Sequence, residues 1–360
     1  MWCCGVNWWL VVVALVWYPA TSDAQSTKKR TPAPVVVEVS PLTSELIDAT
    51  ISGDLQKIQL VLGQGANVNA KDSKGTTAVI AAAKQCHANT VETVKLLLGR
   101  GADVNARDGK GKSALSWTLE GLCYGYDPLT KTFIKEFKIN IDLVEVLIAA
   151  GAEPNARSDA GWTALLEATL LGDRPNLVQT LLTKGVNVNG SDKRGWTPLI
   201  VAAFRGHTVL AQTLLNAGAN IEAKDELGQS VLMAAASWGR ADIVRILLDK
   251  SASVNARDKF GRTALMIALE KMVPTEQGFA DTVQLLLAAA GADVNAKDRK
   301  GRTALMWVAR GCFPDISQTL LAKGAQPNSK NQMGETALRI ARFRGCTAVS
   351  EQLRAAGGRE

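Results

Sequence analysis

Residues 191–223 read SDKRGWTPLIVAAFRGHTVLAQTLLNAGANIEA, and this stretch forms one complete building block: turn, short helix, turn, second helix, exit loop. Thr197 is placed to cap the first helix, and Pro198 suits its opening turn, where a missing N–H is not needed. Leu199, Ala202 and Ala203 follow at helical spacing, and the two alanines are small enough to let a neighbouring helix come close. Gly206 stops this helix. Thr208 opens the second, with Leu210, Leu214 and Leu215 on one side, and Gly218 ends it. Two helices this short cannot bury their apolar faces alone, so the block needs similar blocks on either side.

The chain supplies them. The signature G-x-[ST]-[AP]-[LV] recurs at Gly75, Gly111, Gly161, Gly195, Gly261, Gly301 and Gly334, with Gly228-Gln229-Ser230-Val231-Leu232 as a variant. A matching exit recurs as GANVNA (65–70), GADVNA (101–106), GAEPNA (151–156), GVNVNG (185–190), GANIEA (218–223), SASVNA (251–256), GADVNA (291–296) and GAQPNS (324–329). The undisturbed period is 33 residues, as from Thr303 to Thr336. This array resembles the ankyrin repeat over about Pro41 to Glu360, in nine units counting both ends. The resemblance implies an all-α repeat solenoid: a stack of helix–turn–helix units joined by β-hairpin loops. The family's usual His after T-P-L is replaced here by Ile80, Ser116, Leu166, Ile200, Met233, Met266, Met306 and Arg339, so packing must stand in for the imidazole hydrogen bond.

Composition agrees. At 47% hydrophobic, 5% aromatic and 21% charged, with 31 glycines, this is a helix-rich chain with many tight turns. A single compact core of this length would split into domains. A solenoid escapes that limit because each repeat touches only its neighbours.

Residues 1–24 stand apart. Trp8–Tyr18 is a short apolar run, followed by Pro19 and the small-x-small sequence Ser22-Asp23-Ala24. It reads as an export signal cut after Ala24, although no Lys or Arg precedes the run. The alternative is an uncleaved membrane anchor, but the run is shorter than the roughly 20 apolar residues a spanning helix needs. Residues 25–41 form a Thr/Ser/Lys/Pro linker. Residues 42–360 form the repeat domain, with polar first and last units as caps. The apolar N-terminal run and the Asn-rich, His-poor repeats look similar to bacterial periplasmic members of the family.

Catalysis finds little material. The only histidines are His87 and His207, and no H-E-x-x-H or C-x-x-C is present, so neither a metal site nor a His-dependent triad is expected. No cofactor is implied. Gly109–Ser113 ends like a phosphate-binding loop but lacks its first glycine, Ala106 standing there. The recurring Asp72, Asp108, Asp192, Asp225, Asp258 and Asp298 suit turn anchors that accept backbone N–H bonds. Between two helices, Gly121–Ile139 is the longest insertion. Asp127-Pro128 suggests a helix start there, and Leu129, Phe133, Ile134 and Phe137 suggest a short amphipathic helix.

Beyond the first 24 residues the cysteines are Cys86, Cys123, Cys312 and Cys346. Counted from the residue opening each first helix, they fall nine or ten positions on, in two adjacent-repeat pairs. Cys86–Cys123 and Cys312–Cys346 are therefore candidate disulfides in an oxidising compartment, provided the turns bring their Cα atoms within about 7 Å.

Function then falls to the surface. The resemblance implies that hairpin tips and first-helix ends line a concave face that grips a partner protein. By position these are Trp162, Trp196, Arg262 and Arg302 before the helix cap; Lys193, Arg194, Leu227, Phe260, Arg299 and Lys300 at the tips; and Phe204, Arg205 and Trp238 at helix ends. Trp, Phe and Arg favour interface anchors, while a hairpin Trp can equally pack on its own neighbour. Trp117 and Trp307 sit deeper and read as core. The net charge of +7 favours an acidic protein partner. The expectation is an exported, monomeric, non-catalytic scaffold; a membrane-anchored cytoplasmic adaptor and a nucleic-acid binder using the basic tips are the alternatives.

Overall fold

A computed structural model describes residues 40–360 except 86, 121, 128–131, 138–139, 159–160, 171, 173–174 and 273–276; for 120, 122–127, 132–137 and 277 it describes the backbone alone. The export signal, residues 25–39 of the linker, and the Cys86–Cys123 pairing fall outside the described residues.

Nine helix pairs follow one another among the described residues. They are α1 (Pro41–Ser52) with α2 (Leu55–Gly63), α3 (Ala78–Ala83) with α4 (Thr90–Gly99), and α5 (Ala114–Glu120) with α6 (Ile141–Ala149). Then come α7 (Ala164–Leu170) with α8 (Pro175–Thr183), α9 (Pro198–Arg205) with α10 (Thr208–Asn216), and α11 (Val231–Ala236) with α12 (Ala241–Asp249). The last three pairs are α13 (Ala264–Lys271) with α14 (Gln277–Ala288), α15 (Ala304–Gly311) with α16 (Pro314–Ala322), and α17 (Ala337–Phe343) with α18 (Thr347–Ala355). First helices pack on the first helices of neighbouring pairs, and second helices on second helices. The result is the helical repeat stack that the resemblance implies. No described helix is long and apolar enough to cross a membrane.

The first helices are short and buried almost all round, because each lies between two copies of itself. In α9, Leu199, Ile200, Val201, Ala202 and Ala203 are all buried. The second helices bury one stripe, as Leu210, Ala211 and Leu214 do in α10. The residues standing where the family carries His are buried from Ile80 to Met306, while Arg339 in the last unit is exposed. Pro41, assigned to the linker by sequence, opens α1 instead. Proline is tolerated there for the same reason as at Pro198.

The insertion after α5 differs from expectation. Its backbone forms two antiparallel strands, β1 (Leu122–Asp127) and β2 (Thr132–Phe137), paired from Leu122 with Phe137 to Asp127 with Thr132. The physical reason lies in composition: Tyr124, Tyr126, Thr132, Phe133, Ile134 and Phe137 are aromatic or β-branched and fit a pleated surface better than a helix. Asp127, read as the cap of a helix, is the last residue of the first strand.

Two hydrogen-bond ladders tie unit to unit. At the tips, the backbone N–H of one hairpin donates to the previous one: Gly109 to Lys74 O, Glu226 to Arg194 O, Lys259 to Leu227 O and Arg299 to Phe260 O, at 2.8–2.9 Å. At the exits, the second Asn of the motif bridges forward. Asn69 Oδ1 accepts Asp103 N–H at 2.7 Å while its Nδ2 donates to Gly101 O at 3.0 Å. Asn105, Asn155, Asn189 and Asn295 repeat the pattern. At Glu222 a carboxylate does the accepting, from Ser253 N–H at 2.7 Å.

Candidate functional site

Six of the hairpins are closed by an Asp. Asp192 Oδ1 accepts N–H from Arg194 at 2.9 Å and from Trp196 at 2.8 Å. Asp72, Asp108, Asp225, Asp258 and Asp298 do the same in their own hairpins, and Asn331 in the last. These acids are therefore structural, and they fix the backbone of the residue that precedes each helix cap. Burial pushes the carboxyl groups of Asp192 and Asp225 above the ordinary carboxylate value, against the pull of those N–H bonds.

The positions just before the caps inherit that rigidity. Trp196 stands half-buried, with its ring 5.1 Å from that of Phe204, and Phe204 in turn lies 4.9 Å from Trp238 at a steep angle. Offset and edge-on contacts of this kind are the favoured aromatic geometries. Three rings from two adjacent units thus form one continuous file. Trp238 remains 37% exposed, and the neighbouring tips offer Leu227 at 48% and Phe260 at 49%. Trp162 is half-buried and anchored by its N–H to Ser158 Oγ at 3.2 Å; it stands outside the file.

The cations divide into two kinds. Lys193, Arg194, Arg299 and Lys300 are exposed at the tips, with no ion pair among the described residues. Arg262 and Arg302 are engaged internally. Arg262 donates from Nε and Nη2 to the fully buried Asp258 Oδ2, both at 2.8 Å, and to Glu270 at 2.7 Å. Arg302 grips Asp298 Oδ2 at 2.7 Å and lies over the Trp307 ring at 4.2 Å. These two arginines stiffen their hairpins, leaving an incoming partner the guanidinium edges that the carboxylates do not use. Arg205 is half-buried at the end of α9, and desolvation pulls its guanidinium below the ordinary range. Arginine keeps its charge there at neutral pH.

Trp117 and Trp307 are buried, as their position implies. What sequence reading missed is the roof over Trp117. Its indole N–H donates to Asp108 Oδ2 at 2.8 Å, while Lys84 and Lys112 lie 4.3 and 4.9 Å from its centroid. Lys84 pairs with Asp108 and Lys112 with the buried Glu167, each at 3.7 Å. Burial lowers the Lys84 ammonium, partly opposed by Asp108. The signal was available: Glu167 occupies the same register as Trp117, four positions after the helix cap, where the remaining units carry Ala, Val, Ile or, at Trp307, a second tryptophan.

Cys312 and Cys346 are joined as a disulfide, with Cα atoms 5.2 Å apart. Cys312 adopts φ 58° at the helix stop, where other units have Gly53, Gly206, Gly239 or Gly345. In the first three of those units the glycine packs under a residue of the next unit. Gly53 lies under His87, Gly206 under Arg240 and Gly239 under Phe279. The repeat thus brings these two register positions together at three other places, and at Cys312 and Cys346 the contact is covalent.

Among the described residues no group of His, Cys, Asp and Glu is arranged to hold a metal. A family model described as ankyrin repeats (3 copies) matches residues 46–141, 133–225, 210–298 and 271–358. No curated protein matches the sequence.

Proposed function

This chain belongs to the ankyrin repeat family, whose repeats are protein–protein interaction modules, and from that premise we propose that it is a non-catalytic scaffold that docks a partner protein on its hairpin face. The observation carrying this reading is the Trp196–Phe204–Trp238 file, half-open to solvent and flanked by unpaired basic tips. Rigid aromatic anchors surrounded by polar groups are the residue chemistry of interface hot spots. The charge at the tips favours an acidic partner surface. We further propose export, on the N-terminal apolar run and the Ser22-Asp23-Ala24 cleavage pattern, with the scaffold acting as a monomer in the periplasm or outside the cell. The Cys312–Cys346 bond suits such an oxidising location.

The test is affinity capture with residues 25–360, compared with a Trp196→Ala/Trp238→Ala variant of equal thermal stability. The expected outcome is a partner retained by the parent and depleted at least tenfold by the variant. Equal recovery would move the docking surface elsewhere. The same tip cations could serve nucleic acid. Tight binding to an unrelated duplex, with a steep loss between low and moderate salt, would favour that reading instead.

A further inference from the structure

Arg205 and Arg240 are set differently from every other cation on this face. Each has a buried Nε–H with no hydrogen-bond acceptor, and neither reaches a carboxylate among the described residues. They flank one glycine. Arg205 precedes Gly206 in the chain, and the Arg240 side chain packs against it so closely that a Cβ there would meet Cδ and Nε at 2.9 Å. Arg205 follows Phe204 directly and Arg240 comes two residues after Trp238, and the Phe204–Trp238 ring contact pins those two segments together. Two guanidinium groups therefore leave the chain beside the aromatic file, half-buried and without the acids that neutralise Arg262 and Arg302.

The two Nε–H groups are shut from solvent, so an acceptor arriving from outside meets the Nη ends of these partly buried side chains. A carboxylate is the matching acceptor, because its two oxygens fit the planar donor edge of a guanidinium. We propose that Arg205 and Arg240 form an oxyanion clamp within the docking face, which takes an Asp or Glu side chain of the partner polypeptide while an adjacent apolar side chain of the same segment lies on Trp196 and Trp238. This rests on the docking role proposed above and gives it a chemical specificity: an acidic residue next to an aromatic or aliphatic one. Lys193, Arg194 and Lys300 would attract any acidic segment from a distance; the clamp would select where the carboxylate lands.

The test is selection of a phage-displayed random dodecapeptide library on the full mature chain, with the identical selection on three variants. The wild type should enrich sequences that place Asp or Glu beside an aromatic or aliphatic residue. The Arg205→Gln/Arg240→Gln variant should keep the apolar preference and lose the acidic one, and the best wild-type peptide should bind it at least tenfold more weakly. The Arg205→Lys/Arg240→Lys variant, which keeps the charges but not the planar fork, should fall between. Trp196→Ala/Trp238→Ala should lose both preferences. An acidic preference that survives unchanged in the Gln variant would overturn the clamp and credit the tip lysines. Apolar enrichment without any acidic preference in the wild type would overturn the clamp but leave the docking face standing. No tryptophan-dependent enrichment at all would remove both. Resynthesis of the best peptide with phosphoserine at its acidic position should not improve binding; a tenfold gain would reassign the site to phosphoryl groups.

Discussion

At the scale of single residues, the hairpin acids combine an advantage with a cost. Asp192 gives its turn two backbone hydrogen bonds, yet burial disfavours its charge. A carboxyl raised above its unfolded value of 3.8 contributes stability that is full below about pH 4 and is lost as pH climbs past the folded value. Asn keeps the acceptor and discards the charge, as Asn331 does in the last unit. The Asp192→Asn/Asp225→Asn variant should therefore melt above the wild type at pH 7, with the gap closing near pH 3, in circular-dichroism melts at both values. Asp192→Ala should instead cost about 1–3 kcal/mol, since two N–H groups lose their acceptor. The turn role of these residues was legible in their recurrence. The inward grip of Arg262 and Arg302 was not, because one sequence position serves equally for an outward anchor or an internal partner of the Asp four residues before it.

At the scale of elements, the helix stop governs what a unit can tolerate. Glycine fills it in four described units with φ between 61° and 82°, and Cys312 adopts the same left-handed region at the cost of about 1–2 kcal/mol that a side chain incurs there. Cys312→Gly should thus be more stable than wild type in reductant and less stable without it; chemical denaturation under both conditions checks the crossing. Gly206→Ala should lose about 1–2 kcal/mol at φ 82°, with Arg240 crowding the new methyl group. Helix pairs, caps and exits could be read from the chain because each repeats with its own punctuation. The insertion could not: Asp127-Pro128 satisfies a helix start and a strand end alike, and only cross-strand pairing from Leu122 to Phe137 decides between them. The forward bridges of Asn69 and Asn105 were equally hidden, since a repeated Asn in a loop does not announce that its partner lies in the next unit.

At the scale of the whole molecule, stability is local, since each pair rests on its two neighbours. The last pair has one neighbour and a covalent tie that closes a loop with a sequence separation of 34. Chain-entropy arguments assign such a loop about 4 kcal/mol. Reducing it should lower hydrogen-exchange protection in α17 and α18 far more than in α9 and α10. Equal loss in both regions would mean that the stack unfolds as one. The aromatic file spans two mid-stack units, where fraying from either end arrives last, which suits a site whose geometry must hold between encounters.

The same tie changes how the molecule would yield to force. Pulled from its two termini, tension entering at Cys346 crosses directly to Cys312 and bypasses the chain between them. A stretched molecule should therefore come up short by the length of that shielded segment, about 12 nm at about 3.5 Å per residue, and regain it only after a reducing agent is added.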